Sequence, residues 1–450
     1  MAKKRRNTAP EPQRDARDPG AVVGAAALAA VLAGTALVVD TKAAAAFDAP
    51  KRLIALVGIA IAAAATFAFP TRKPVRAGPR LLAGPRARRA ALGLAAVVFL
   101  LALVSALASP RREVALDAIR PLTIYALLLP LGASRAVGRA GTWLTGVFLA
   151  ATAVNAVVSI LESQGLFRPF PLETFGARQE TGAYAGNVGY LALTLALAGV
   201  LALGLALTRR RASARLAAGL AGALFAAALL VNRNVTALTS TLAGMAVLLG
   251  VLYRKKAALP MAAALVAAAI GVAAYAPLRQ RAGELAEAAH AGNWDAIVSF
   301  RGGAWAAAAE MARERPWLGF GPGTYGAEYV PHRLAAEIRA RRRFVVPLLT
   351  SSYAEAHCDY LQVFSDAGIP AGLAALAAVG SLFAALGAAA WRRRSTEATL
   401  LLAVLAAGAT GALTWFPLQR PVTAVPLLLA AGRAWRISAD PDRSEGEPVA

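Results

Sequence analysis

The chain has little cysteine, histidine and charge for its length. Its 450 residues include one cysteine, Cys358, and three histidines. A single cysteine excludes an internal disulfide and any metal site built from several thiolates. Charged residues make up only 16% of the chain and hydrophobic residues 58%, which is too apolar for an ordinary soluble domain.

Familiar catalytic motifs are missing as well. The sequence has no HExxH zinc motif, no phosphate-binding loop of the GxxxxGK[ST] type and no GxSxG nucleophile elbow. The glycines from Gly319 to Gly323 do not follow a predicted strand, so they do not form a nucleotide fingerprint. His357 and Asp359 stand two residues apart and give only weak support for a metal site.

Long apolar runs dominate what is present. A helix needs about 20 apolar residues to cross the hydrocarbon core of a bilayer, and the runs have about that length. They predict an all-α, polytopic integral membrane protein with about 12 transmembrane helices and one large periplasmic loop of short helices. We place the spans at residues 21–39, 53–69, 91–108, 121–134, 142–161, 187–207, 216–231, 235–253, 257–276, 369–390, 398–416 and 421–432.

The net charge of +23 reflects topology rather than nucleic-acid binding. If the basic arm around Arg5 is cytoplasmic, clusters such as Arg209 to Arg211 and Arg392 to Arg394 also lie inside. Such a bias towards the inside is typical of inner-membrane proteins. We therefore expect both termini in the cytoplasm and no nucleic-acid partner.

The predicted spans divide the chain into five segments. Residues 1–20 form a disordered cytoplasmic arm, 21–276 the first nine spans, 277–368 a periplasmic loop, 369–432 the last three spans, and 433–450 a cytoplasmic tail. The first apolar run is long for a secretory signal and further spans follow it, so we interpret it as a retained helix. Cleavage near residues 43–46 is the alternative.

The loop at 277–368 contains all three histidines. Its alanine-rich residues 303–314 predict a helix that Pro316 and the following glycines end with a turn. Residues 352–355 have the form of a capping box, so a second helix is expected to start there and to carry His357 and Leu361 on one face. Gly368 should break this helix before the next span.

Several outer residues suit the transfer of a sugar from a lipid diphosphate. Arginine binds phosphate through a planar fork, and histidine is the base best matched to neutral pH. The outer arginines are Arg178, Arg233 and Arg301, and the candidate base is His357.

Each of these residues also has a structural interpretation. Arg233 could anchor a tight turn at the membrane interface, and Arg301 could pair with Trp305. His357 could be a buried structural histidine, whereas His290 and His332 are expected in solvent. Glu355 could orient His357, but a helix cap is the favoured interpretation.

Three motifs in this loop give the chain a family resemblance. They are Arg301 with Trp305, PWLGFGPG over residues 316–323, and HCDYLQ over residues 357–362 followed by GIPAG over residues 368–372. In order and spacing they resemble the O-antigen ligase and polymerase superfamily. Upstream, residues Arg178 to Asn187 resemble the Arg-x-x-Gly-x-x-x-Asn pattern that this family has at the start of a span. Cys358 departs from the asparagine that usually follows the family's histidine. Where the family often has Ser-Arg at the outer start of a mid-chain helix, this chain offers Asn232-Arg233, which we favour, or Thr239 to Thr241 without an arginine.

The resemblance implies a glycosyltransferase of the bacterial inner membrane that uses no metal and no cofactor. The donor would be a glycan on undecaprenyl diphosphate, and the acceptor lipid A–core or another glycan. Arg301, Arg233 and Arg178 would bind the diphosphate, and His357 would activate or orient the acceptor hydroxyl. O-antigen ligation is the favoured reaction. Polymerisation of O-antigen or exopolysaccharide and protein O-glycosylation are variants, and a transporter or flippase is the rival from another class.

Overall fold

The computed structural model describes residues 19–43, 45–68, 85–170, 181–344 and 353–439, and these ranges contain helices and connections but no strand. The all-α prediction is therefore confirmed. Arg178 and Ser352 lie outside the described residues. The helices are α1 (Pro19–Leu37), α2 (Ala49–Ala68), α3 (Arg86–Leu107), α4 (Arg112–Ala126), α5 (Leu128–Gly132), α6 (Arg135–Ser163), α7 (Val188–Thr208), α8 (Ala212–Asn232), α9 (Val235–Tyr253), α10 (Ala258–Ala274), α11 (Ala276–His290), α12 (Trp294–Ile297), α13 (Gly302–Glu314), α14 (Tyr325–Ala340), α15 (Asp359–Arg393), α16 (Thr396–Gly411) and α17 (Pro421–Ile437).

The described ranges confirm a polytopic membrane protein. Nine helical segments within them are long and apolar enough to cross a membrane, and α10 and α11 add a pair bent by 99°. The helices α16 and α17 are shorter, with 16 and 17 residues. Every predicted span thus coincides with a helix, whereas the number of crossings stays a prediction.

Helix α7 lies at the centre of the bundle. Its residues from Leu191 to Ala198 are almost completely buried, and α6, α8, α9, α16 and α17 pack around it. Small residues allow close approach between helices in such bundles. At the contact of α5 with α17, a Cβ on Gly432 would lie 2.1 Å from the carbonyl oxygen of Leu129.

The loop between α10 and α15 has a small core of its own. Alanines and Met311 of α13 pack against Tyr325 and Tyr329 of α14. Arg339 of α14 donates two hydrogen bonds to Glu310 of α13, at 2.6 and 3.1 Å. These bonds hold the pKa of Glu310 below its usual range. The predicted helix at 303–314 is confirmed.

Both His290 and His332 were expected to be exposed to solvent. This prediction was wrong for His332 and is confirmed for His290. His332 is 5% exposed, and its two ring nitrogens lie 2.6 Å from the Glu328 carbonyl oxygen and 3.2 Å from a Glu314 carboxylate oxygen. Its ring also packs on Phe320, with 4.7 Å between centroids. His290 is exposed at the end of α11.

The glycine turn after α13 and the break at Gly368 in α15 are both present as predicted, and the structure adds that they pack on each other. Gly319, Gly321 and Gly323 have φ of 64°, 103° and 76°, a region that favours glycine. Gly321 N donates to the Asp366 carbonyl at 2.8 Å. Gly368 interrupts α15 with φ 86°, and a Cβ there would lie 2.4 Å from the carbonyl oxygen of Trp317.

The predicted start of the second loop helix was wrong. Helix α15 begins at Asp359, with Cys358 as its N-cap, so His357 precedes the helix and does not share a helical face with Leu361. Glu355 does not cap a helix. It accepts a 2.5 Å hydrogen bond from Arg420, which a capping pattern in the sequence does not reveal.

Candidate functional site

The candidate site is built on two stacked rings, Trp415 and Phe416, in the connection between α16 and α17. Their centroids are 4.8 Å apart at an angle of 16°, and we call this pair the aromatic platform. The imidazole of His357 meets both rings edge-on, at 5.2 Å from Trp415 and 4.9 Å from Phe416. The guanidinium carbon of Arg301 lies 4.8 Å from the Trp415 ring centroid. One indole therefore contacts both residues that the sequence singled out most strongly.

Helix α13 positions Arg301. The residue is the N-cap of that helix, and Trp305 follows one turn later. The ring under the Arg301 guanidinium is that of Trp415, whereas the sequence suggested Trp305. The Trp305 indole N–H instead donates to the His357 carbonyl at 3.3 Å. Tyr353 donates from its hydroxyl to the Phe300 carbonyl at 3.2 Å, which ties the segment before His357 to the start of α13.

The HCDYLQ motif holds His357 against the aromatic platform. Asp359 N donates to the carbonyls of Ala412 and Trp415, and the Asp359 carboxylate accepts a 2.9 Å hydrogen bond from Leu418 N. Gln362 accepts from Ala356 N at 2.7 Å. His357 itself has φ 53°, an unusual backbone conformation for this residue type. Asp359 and Gln362 thus fix the backbone on both sides of the histidine.

Burial keeps the imidazole neutral. Within the part of the chain that the structure describes, His357 Nδ1 is buried and has no hydrogen-bond partner. Burial, and then the nearby charges of Arg301 and Arg420, lower the pKa of His357 from 6.5 to about 3. At pH 7 the imidazole is therefore neutral and can accept a hydrogen bond from a hydroxyl, but a pKa this low makes it a weaker base than one matched to neutral pH.

Arg420 is a site residue that the sequence reasoning missed. Its guanidinium pairs with Glu355 at 2.5 Å and with Asp48 at 3.3 Å. It also lies 4.8 Å from the Tyr190 ring and 5.2 Å from the Phe416 ring. Burial raises the pKa of Glu355, while the charge of Arg420 opposes that shift. Arg420 therefore joins the α1–α2 connection to the segment just before His357.

A modest signal for these missed residues exists in the sequence. Trp415 and Phe416 are the last two residues of the predicted span 398–416, and Arg420 falls in the short predicted outer connection that follows it. Aromatic residues and an arginine at a span end are also common interfacial anchors, so the pattern alone does not distinguish a site from an anchor.

Arg233 lies in the tight turn between α8 and α9, in the left-handed conformation with φ 57°. Its neighbour Asn232 donates to the Val188 carbonyl at 3.1 Å. A Cβ on Gly189, the next residue, would lie 2.3 Å from the Trp415 ring. The turn that holds Arg233 is therefore joined to the aromatic platform through the start of α7. Among the described residues, no group of three or more His, Cys, Asp and Glu is arranged to hold a metal ion.

Two comparisons with known proteins bear on this arrangement. Residues 233–376 match the family model described as O-antigen ligase. The matched segment begins at Arg233, includes Arg301 and His357, and ends before the aromatic platform and Arg420. A search of curated proteins found no match to the chain.

Proposed function

We propose, from the match of residues 233–376 to the O-antigen ligase family model, that this chain transfers a glycan from undecaprenyl diphosphate to an acceptor hydroxyl at the periplasmic face of the inner membrane. The acceptor we favour is lipid A–core. The observation that carries the proposal is the convergence of Arg301 and His357 on one indole ring, Trp415.

The roles follow from charge and protonation. Transfer breaks the bond between the anomeric carbon and the diphosphate, so negative charge grows on the leaving group. Arg301 would stabilise that charge, with Arg233 and Arg178 as further candidates for binding the diphosphate. His357 would take the proton from the acceptor hydroxyl as that oxygen attacks the anomeric carbon.

Arg420 has a different role in this scheme. Two carboxylates, Glu355 and Asp48, already contact its guanidinium, so its charge is balanced inside the protein. We infer that it positions the segment before His357 rather than binding the diphosphate.

The test is complementation of a deletion strain with wild type, Arg301→Ala or His357→Ala at matched protein levels. Arg279→Ala and His290→Ala are matched controls, because both side chains are exposed on α11. Loss of a group that stabilises the transition state typically lowers turnover about a hundredfold or more, so the two site variants should leave the glycan untransferred.

The envelope profile distinguishes the reactions. Bare core with accumulated long lipid-linked glycan is the result expected for a ligase. Core carrying a single repeat unit would instead assign polymerisation. Full complementation by both site variants would contradict the catalytic roles and favour transport.

A further inference from the structure

Helix α14 presents an apolar surface outwards. Its buried residues are Tyr325, Tyr329, His332 and Ala336, which face the core of the loop. Every exposed position from 327 to 338 is apolar, and the spacing is that of one continuous helix face. We call these positions the stripe; they are Ala327, Val330, Pro331, Leu334, Ala335 and Ile338. Leu334 is 46% exposed and Ile338 79%.

The charged residues of α14 lie at the flanks and not on this outward face. Arg333 and Glu337 pair with each other at 3.1 Å and are both less than one fifth exposed. Glu328 pairs with Arg111 at 2.5 Å. A helix that faces water shows the opposite arrangement, with its polar residues outwards. The outward face of α14 is therefore suited to an apolar medium.

The start of α14 lies next to two helices that are apolar enough to cross a membrane. A Cβ on Gly321 would lie 2.7 Å from Ser109, just after α3, and a Cβ on Gly323 would lie 2.6 Å from Ala118 of α4. The Arg111–Glu328 pair joins the first turns of α4 and α14. Helix α14 thus begins where α3 ends and α4 starts, and the end of a helix that crosses a membrane lies at the membrane surface.

The far end of α14 is basic. Arg339, Arg341, Arg342 and Arg343 follow one another closely, and all four are exposed. Arg339 pairs with Glu310 and Arg342 with Asp295. Arginines beside an apolar helix face are the arrangement that binds anionic lipid headgroups.

We propose that α14 lies in the plane of the membrane surface, with its apolar face among the acyl chains and with Arg341 and Arg343 at anionic phosphate headgroups. The proposal does not depend on glycan transfer. This contact of α14 with the membrane would keep the loop that carries Arg301 close to the bilayer, where the diphosphate of a lipid-linked substrate resides.

The test is spin-label accessibility in the full-length protein. Val330→Cys, Leu334→Cys and Ile338→Cys are labelled one at a time in nanodiscs of phosphatidylglycerol and phosphatidylcholine, with Ala291→Cys as an exposed reference outside the stripe. Cys358 is buried, and labelling of the unmutated chain measures its background. Oxygen concentrates in the acyl region and a nickel chelate in water. We expect an oxygen-to-nickel accessibility ratio several-fold higher at the three stripe positions than at Ala291.

Two outcomes would overturn the proposal. Nickel accessibility at the stripe equal to that at Ala291 would mean that the face meets water. Low accessibility to both probes would mean that protein covers it. A second experiment tests the contact between the arginines and anionic headgroups. Arg341→Gln with Arg343→Gln should lower the ratio at Ile338 in nanodiscs with phosphatidylglycerol, and should leave it unchanged in pure phosphatidylcholine. An equal ratio in both lipids for wild type and variant would refute the headgroup contact.

Discussion

The indole N–H of Trp305 donates a hydrogen bond to the backbone carbonyl of His357, 52 residues away in sequence. Trp305 stands one turn after Arg301, so the helix that begins at the arginine also holds the backbone of the histidine. The two candidate catalytic residues are therefore coupled through one side chain as well as through the aromatic platform.

Loss of the Trp305 hydrogen bond should impair transfer more than loss of the Trp415 N–H. Trp305→Phe removes the N–H that donates a hydrogen bond to the His357 carbonyl. Trp415 Nε1 has no hydrogen-bond partner within the described residues, so Trp415→Phe removes no hydrogen bond. We expect Trp415→Phe to keep most activity and Trp415→Leu to lose it along with the cation–π contact, worth about 0.5–2 kcal/mol. Transfer of glycan in purified membranes measures this, and equal rates for Trp305→Phe and Trp415→Phe would contradict it.

Replacing Arg420 should destabilise the protein more than replacing Glu355. Arg420→Gln leaves Glu355 without its cation and leaves Asp48 with Arg52 alone, and breaking a fully buried pair costs about 3–5 kcal/mol, an upper bound for these partly buried side chains. Glu355→Gln leaves Asp48 as a partner for Arg420. We expect the double variant Arg420→Gln/Glu355→Gln to be more stable than Arg420→Gln alone.

Thermal unfolding in detergent measures this coupling. Additive effects of the two substitutions would show that the pair contributes nothing specific. Arg420→Lys is the matched control, because lysine keeps the charge but lacks the planar fork that reaches both carboxylates.

Acid should destabilise the wild type through His357. The folded pKa lies near 3 and the ordinary value is 6.5, so between these values the unfolded imidazole binds a proton that the folded one does not. The free energy of unfolding therefore falls as pH drops from about 6.5 towards 3. His357→Gln should flatten this part of the pH profile of the melting temperature. Parallel profiles for wild type and His357→Gln would show that the folded imidazole titrates normally.

The break in α15 should require glycine at position 368. Gly368→Ala places a side chain on a residue with φ 86° and ψ 172°, a conformation that almost only glycine adopts, and against the carbonyl of Trp317. We therefore expect a loss above the roughly 1–3 kcal/mol of the backbone strain alone. Gly380→Ala is the control within the same helix, because a Cβ there meets nothing within 4 Å. Proteolysis of the loop at graded temperature measures both. Equal resistance of Gly368→Ala and Gly380→Ala would disprove the requirement.

The sequence predicted the membrane helices and the glycine turns because each depends on local composition. Runs of apolar residues form spans wherever they occur, and Gly321 and Gly368 occupy backbone conformations that few other residues adopt. The sequence prediction was wrong for Glu355. Its sequence context predicted a helix cap, but its carboxylate forms an ion pair with Arg420, 65 residues away. His332 was misjudged for the same reason, since its partners Glu314 and Phe320 come from another part of the loop.

The candidate site likewise combines residues that the local sequence indicates with contacts that it does not. Arg301 and His357 could be chosen by chemistry and motif, but no local pattern indicates that they meet on Trp415. Arg420 carries no motif at all. Its importance follows from a fold that brings three connections together, which depends on contacts between distant parts of the chain.

The ion pair between Asp48 and Arg420 joins residues 372 positions apart. A ribosome adds residues at about 5–20 per second, and folding begins before synthesis ends. Asp48 is therefore made tens of seconds before its partner exists, and the segment containing His357 also precedes the aromatic platform that receives it. The nascent chain cannot complete this site until the beginning of α17 has been synthesised. A partly made protein in the membrane would thus lack the assembled candidate site.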